Sequence, residues 1–138
     1  MKILWGHKDG GPDSEVTCYG IEIKSLFSVM LLRFTPKTRE EFHSHAFNCY
    51  NWVLSGGLYE EIAYDPHRRI TSFEQHAFTN HMPSFKGFWI VRKCLHRVRS
   101  MYAVSWVLSF RGPWEREWLD GKPGVKLNTL THGRELVP

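Results

Sequence analysis

The sequence predicts an all-β protein closed into one barrel or sandwich, on three observations. Short apolar runs with a two-residue alternation recur along the 138 residues, and turn-forming Gly, Pro, Asn and Asp separate them. No long segment keeps the 3.6-residue period of an amphipathic helix. Hydrophobic residues make up 42% of the chain and aromatics 14%, enough for one packed core and too much for a disordered chain. The expectation is a single domain over residues 1–138.

In order, residues 1–15 read as an irregular lead-in, punctuated by Gly10, Gly11 and Pro12. Val16–Lys24 alternates as a strand, and Leu26–Phe34 is a denser, buried one. Pro36 cannot continue a ladder and turns the chain. Thr38–Glu41 is a polar approach to the next strands, Asn48–Leu54 and Leu58–Tyr64. Ser55-Gly56-Gly57 joins those two as a tight turn, where glycine supplies positive φ without a steric penalty. Asp65–Arg69 is a polar turn, Ile70–Phe73 a short strand, and Glu74–Phe85 loop with room for one short strand. Gly87–Val91 and Leu95–Val98 are strands. Met101–Phe110 alternates cleanly, with Trp106, Leu108 and Phe110 on one face and Ser105, Val107 and Ser109 on the other. Trp114–Trp118 reads as a helical turn, Gly121–Gly124 as a loop, and Val125–Leu136 as a terminal β-ribbon.

Composition restricts the partners. A net charge of +4 and a pI near 9.1 allow an anionic ligand. Lys and Arg are nevertheless spread along the chain, with no recognition-helix or RNA-binding signature, so a nucleic-acid partner is not expected. No apolar run approaches the ~20 residues that span a bilayer, so no membrane partner is expected either. The N-terminus lacks a secretory pattern. Three cysteines at unpatterned spacing, Cys18, Cys49 and Cys94, argue against a disulfide framework and for a cytoplasmic setting.

The chemistry-bearing stretch is EFHSHAFNCYNWVLSGGLYEE, Glu41–Glu61. Residues i and i+2 of a strand point to one face, roughly 6.5–7 Å apart, so His43 and His45 would aim both imidazoles at one point. His96 lies in a later strand-like run, VRKCLHRVRS. Three imidazoles leaving an open position suit a divalent transition metal: Fe, Zn, Mn, Ni or Cu. The competing reading is a polar barrel mouth that holds no metal.

HSHAFNCYNWVLSGG resembles the first motif of the cupins, and KGFWIVRKCLHRV the second. GGLYEE at Gly56–Glu61, His96-Arg97, SWVLSFRGPWEREW at Ser105–Trp118 and LTHGREL at Leu130–Leu136 are similar to segments of a small uncharacterised cupin family of phages and bacteria. The resemblance implies a cupin-type β-barrel (a jelly roll, or double-stranded β-helix) with His43, His45 and His96 as metal ligands. Many cupins add a glutamate four or five residues beyond the second histidine. Those places hold Cys49 and Tyr50 here, so a fourth, carboxylate ligand from this strand is absent. Local likeness to cysteine dioxygenase extends over Cys49, Leu95–Val98 and Ala103–Ser109, but Val107 and Ser109 stand where that enzyme carries a catalytic histidine and tyrosine.

Candidate pocket residues are Cys49, Asn48, Arg33 and Arg97, with Arg111 a third cation and Asn51 a further polar group. An arginine aimed into the barrel would hold a carboxylate or phosphate bidentately. Cys49 could equally be a small core residue, and Cys94, two before His96, could join a mixed His/Cys site. Trp52, Trp89 and Trp106 are expected in the core or pocket wall, and Trp5, Trp114 and Trp118 at an interface. His7, His67 and His132 are expected at the surface, His76 and His81 near the pocket edge. Three functions compete: a metal-dependent enzyme on a small molecule, with a non-haem iron dioxygenase as its narrowest form; a non-catalytic binder of a small anionic ligand; and a phage accessory interaction protein. Cupins commonly pair through an edge strand, so a homodimer is expected.

Overall fold

A computed structural model describes residues 1–10, 14–37, 42–66, 78–115, 117–122 and 126–131. Strands in chain order are β1 (Lys2–Lys8), β2 (Thr17–Ile23), β3 (Phe27–Phe34), β4 (Phe42–His43), β5 (Cys49–Ser55), β6 (Gly57–Tyr64), β7 (Phe78–Pro83), β8 (Gly87–Ile90), β9 (Leu95–Ser100), β10 (Ser105–Arg111), β11 (Glu117–Lys122) and β12 (Lys126–Thr131). They form two six-stranded sheets, ordered β1-β2-β3-β10-β5-β8 and β12-β11-β4-β9-β6-β7. Pairing is antiparallel across the first sheet and across the second. Such a pair of sheets, with chain crossings between them, is the jelly-roll architecture. Among the described residues no helix is long and apolar enough to cross a membrane.

The two-residue alternation decides what fills the barrel. Met30 and Leu32 of β3, Val53 of β5, Leu58 of β6, Met82 of β7 and Val107 of β10 meet in one core. Each such buried side chain contributes about 1.5–3 kcal/mol relative to exposure. This core closes one end of the barrel. There Ser105 Oγ donates to the Gly57 carbonyl at 2.8 Å, accepts from the Gly57 N–H at 2.9 Å and sits 2.6 Å from Ser100 Oγ. Gly56 has φ of 80°, and a Cβ there would strike Ser105. The glycine is required twice over, as the turn signal implied.

Elsewhere the structure differs from the sequence expectation. Lys2–Lys8 is no irregular lead-in but an edge strand laid along β2, because its partner supplies the hydrogen bonds that its weak pattern does not advertise. Phe78–Pro83 is a full strand of the second sheet. Glu117–Lys122 is a strand rather than the end of a helical turn and the start of a loop. Ile70–Phe73, His67, His76 and His132 lie outside the described residues.

Trp52, Trp89 and Trp106 do not line the core; they project from the outer face of the first sheet, Trp52 and Trp89 exposed and Trp106 half-buried. On β10 the small residues Ser105, Val107 and Ser109 point inward and the large ones outward. Across the six strands, register stacks these outward residues into rows. One row runs Trp5, Tyr19, Leu31, Leu108 and Trp52, and the next Ile3, Ile21, Val29, Phe110, Tyr50 and Trp89.

Candidate metal centre

His43 ends the two-residue strand β4 and lies directly opposite His96 of β9 in an antiparallel pair. Directly opposed residues carry their side chains on one face, within contact distance. Past His43 the chain leaves the strand, and residues 44–48 cross from the second sheet to the first. His45 sits in that crossing rather than on a strand. It reaches the site because the crossing turns over the barrel mouth, not through the i, i+2 geometry. All three pairs of imidazole centroids are 5.0 Å apart.

The nitrogens converge within these rings. His45 Nε2 and His96 Nε2 are 2.8 Å apart, and one ligand atom from each histidine lies within 4.8 Å of the others. Two nitrogens bound to a single ion at about 2.0–2.1 Å stand about 3 Å apart, so small shifts of the rings would seat a transition metal. Burial, then the neighbouring His96 and Arg111, pull His45 well below its ordinary pKa. The imidazole is therefore held neutral, the form that ligates.

Glu60 of β6 completes the arrangement. It is fully buried, and its Oε2 is 2.6 Å from His96 Nδ1. A buried carboxylate needs such a partner. By accepting from Nδ1–H it fixes the tautomer that presents the Nε2 lone pair to the cavity, the usual carboxylate support of a metal-bound histidine. Glu60, Cys94 and His96 form a second close group, all buried. It shares His96 and occupies that ring's other side, where Nδ1 faces Glu60.

The histidines line a cavity of about 300 Å³, with Cys49, Asn51, Val107, Ser109, Arg111, Phe47, Trp114 and Trp118 among its walls. Arg111, 4% exposed, is a buried cation in its wall. Its guanidinium donates to Asp9 in a fork, Nη1 to Oδ1 at 3.0 Å and Nη2 to Oδ2 at 2.6 Å, and lies 4.8 Å from the centre of the Phe47 ring. Phe47 in turn stands 5.1 Å from His45. Burial opposes the arginine's charge, but the Asp9 carboxylate offsets it and the pKa is raised. Cys49 is buried beside Asn51, whose Nδ2 donates to Sγ at 3.3 Å, and burial pushes its thiol up to about 11.

Of the sequence candidates, His43, His45, His96 and Cys49 come together here. Asn48 does not: it is exposed, and its Oδ1 accepts from the Arg92 N–H. Arg33 alternates with inward-facing Leu32 and Phe34 and so lies on the outer face of β3. Arg97 is at the cavity edge, but its guanidinium turns out to Glu61, Nη2 to Oε2 at 2.7 Å, and over the Phe42 ring. Neighbours on a strand face opposite ways, and His96 already points in. Trp114 and Trp118, expected at an interface, wall the cavity. His81 is exposed on β7 against Tyr59. The residue that sequence reasoning missed is Glu60, and a signal existed: it shares the inward parity of Leu58 and Ile62, an acid on an apolar face.

No known protein-family profile matches the sequence, and no curated protein sequence matches it. Solved structures do match in fold. The oxalate decarboxylase of Lactobacillus farciminis, as its formate complex, has a TM-score of 0.58 at 13% identity, over 86% of this chain and 33% of that one. The cupin domain of Schizosaccharomyces pombe Cnp3 has a TM-score of 0.54 at 8% identity, over 75% and 65%. FeII HppE has a TM-score of 0.52 at 10% identity, over 74% and 53%, so this chain spans about half its length. At such identities the likeness shows the fold alone: an all-β, cupin-type barrel.

Proposed function

We propose that this chain is a metal-dependent cupin enzyme in which His43, His45 and His96 hold a divalent transition metal and a small anionic molecule is the substrate. The observation that carries this reading is the convergence of three imidazoles in the wall of a cavity, one of them oriented by a buried carboxylate. The iron and cobalt forms of HppE support a metal in this barrel type, and the oxalate decarboxylase, as its formate complex, supports a small anionic ligand. The donor set fits Fe, Zn, Mn or Ni. When bound, the metal would supply Lewis acidity and an open coordination position.

The rest is done by the chain's own residues. Glu60 keeps His96 in the ligating tautomer and fixes its ring plane. Burial keeps His45 unprotonated. Phe47, Trp114 and Trp118 shield one side of the cavity from water. Arg111 supplies the positive charge that an anionic substrate needs, and such a substrate would compete with Asp9 for the guanidinium fork.

Non-haem iron dioxygenation is the first chemistry to test. Its thiol version lacks a partner, because β10 presents Ser105, Val107, Ser109 and Arg111 inward, with neither the histidine nor the tyrosine of cysteine dioxygenase. The test loads the protein anaerobically with Fe(II), adds a panel of small carboxylic acids, phosphonates and cysteine, and follows O₂ uptake on mixing with oxygenated buffer. Uptake that needs one of these compounds and disappears in His45→Ala supports the enzyme. Calorimetric binding of an anion with no turnover in any metal form would move the reading to a non-catalytic binder.

A further inference from the structure

We infer that two copies of this chain pack face to face through the outer surface of the sheet β1-β2-β3-β10-β5-β8. The inference is independent of the metal centre, which lies on the other side of that sheet.

An antiparallel sheet with one face on the core and the other in water reads polar on its outer side. Here the two outward rows described above hold no charged residue across six strands. Their largest members stand in solvent: Trp5 is 79% exposed, Ile3 70%, Trp89 57%, Trp52 45%, Phe110 44% and Ile21 42%. These six side chains alone offer roughly 800 Å², the area that each partner buries in a standard stable interface. A contiguous apolar patch of this size exceeds what monomers usually leave open.

The occupant is a second copy for two reasons. Apart from Arg33, which stands in the neighbouring row opposite Trp106, this patch gives a strongly acidic or basic partner nothing to pair with. Two copies of one sheet also share the same right-handed twist, and sheets of equal twist pack aligned, about 10 Å apart and about 30° rotated, with side chains interleaved. The rows are suited to interleaving. Trp5 stands edge-on to Tyr19, and Trp89 edge-on to Tyr50, with centroids 5.1 Å apart in both pairs. Tyr50 lies over Gly87, where a Cβ would strike its ring. The result is a ridged surface rather than a flat one. Pairing through the sheet face replaces the edge-strand contact expected of this fold.

The experiment is sedimentation equilibrium of the untagged chain at tens of micromolar, beside the double variant Trp52→Lys/Phe110→Lys. The wild type is expected at twice the 16.2 kDa chain mass, and the variant at the single mass, its dimer Kd raised at least about 30-fold. Unchanged far-ultraviolet circular dichroism shows that the variant is folded. A second readout needs no variant: diluting the wild type should shift tryptophan emission to the red as Trp5, Trp52 and Trp89 become wet. A wild-type monomer overturns the proposal. So does a dimer that survives the double substitution in a folded protein, or one whose emission does not move on dissociation.

Discussion

Glu60→Gln separates a built metal centre from a chance meeting of histidines. Glu60 is fully buried, 2.6 Å from His96 Nδ1. Glutamine keeps an oxygen that can accept from Nδ1–H, so shape and tautomer survive and only the negative charge is lost. A hydrogen bond to a charged group is worth about 1.5–3 kcal/mol, against about 1 for a neutral one. Removing a carboxylate behind a metal-bound histidine costs 10–100-fold in metal affinity, or about 1.4–2.8 kcal/mol. The assay is competition between the metal-free protein and a chromophoric chelator for Zn(II) or Co(II), with urea unfolding to show that Glu60→Gln remains folded. The expected result is at least tenfold weaker binding by the variant. Affinity within twofold of the wild type would refute the assigned role of Glu60. Cys94→Ser is the companion variant. If Glu60, Cys94 and His96 were the ligand set, it would weaken binding at least as much; the three-histidine set predicts a change below about threefold.

Further outcomes follow from the same structure. Asp9→Ala leaves Arg111, a buried cation, without its fork partner; unfolding free energy should fall by about 2–3 kcal/mol, below the loss for a fully buried pair because Asp9 is partly exposed, and an unchanged urea midpoint would contradict this. His45 is depressed in the folded chain, so above pH ~6.5 it is neutral in both states and contributes no pH dependence; below that, the unfolded chain binds the proton more readily and stability falls by up to about 1.4 kcal/mol per pH unit. In metal-free protein this slope should shrink in His45→Gln, and equal slopes would show that His45 is not the group responsible. Cys18 and Cys49 are both held near pKa 11 with burial the main cause, and Cys94 is wholly buried; a thiol reagent at pH 8 should label none of the three until urea is added, so rapid labelling of the native protein would contradict their placement.

The fold was legible because β-strand periodicity is local. β3, β5, β6 and β10 carry their inward and outward parity in four or five consecutive residues, and Gly56 marks the turn between two of them. What parity cannot give is its own sign. Trp106, Leu108 and Phe110 are the more apolar face of β10, yet they point outward while two serines and a valine point in. The apolar outer face of that sheet misleads any reading that equates large with buried. β1 was hidden for another reason: its pairing with β2 is a long-range fact with little trace in KILWGHK. His43, His45 and His96 were found by residue type and order. The cause assigned to His45, a strand spacing, was wrong, since it is carried on a crossing between sheets. Glu60 and Arg111 carry the same alternation as their neighbours, and each departs from it in charge, the clearest local sign of a functional position here.

The central claim is that His43, His45 and His96 form one metal centre. Metal content by mass spectrometry, on untagged protein prepared without chelator, tests it directly when repeated on His43→Ala and His96→Ala. The account predicts near one equivalent of a transition metal in the wild type, lost in both variants while the circular dichroism stays that of a β-protein. No metal in the wild type, even after reloading with Fe, Mn, Ni and Zn, or an equivalent retained by both variants, would contradict it.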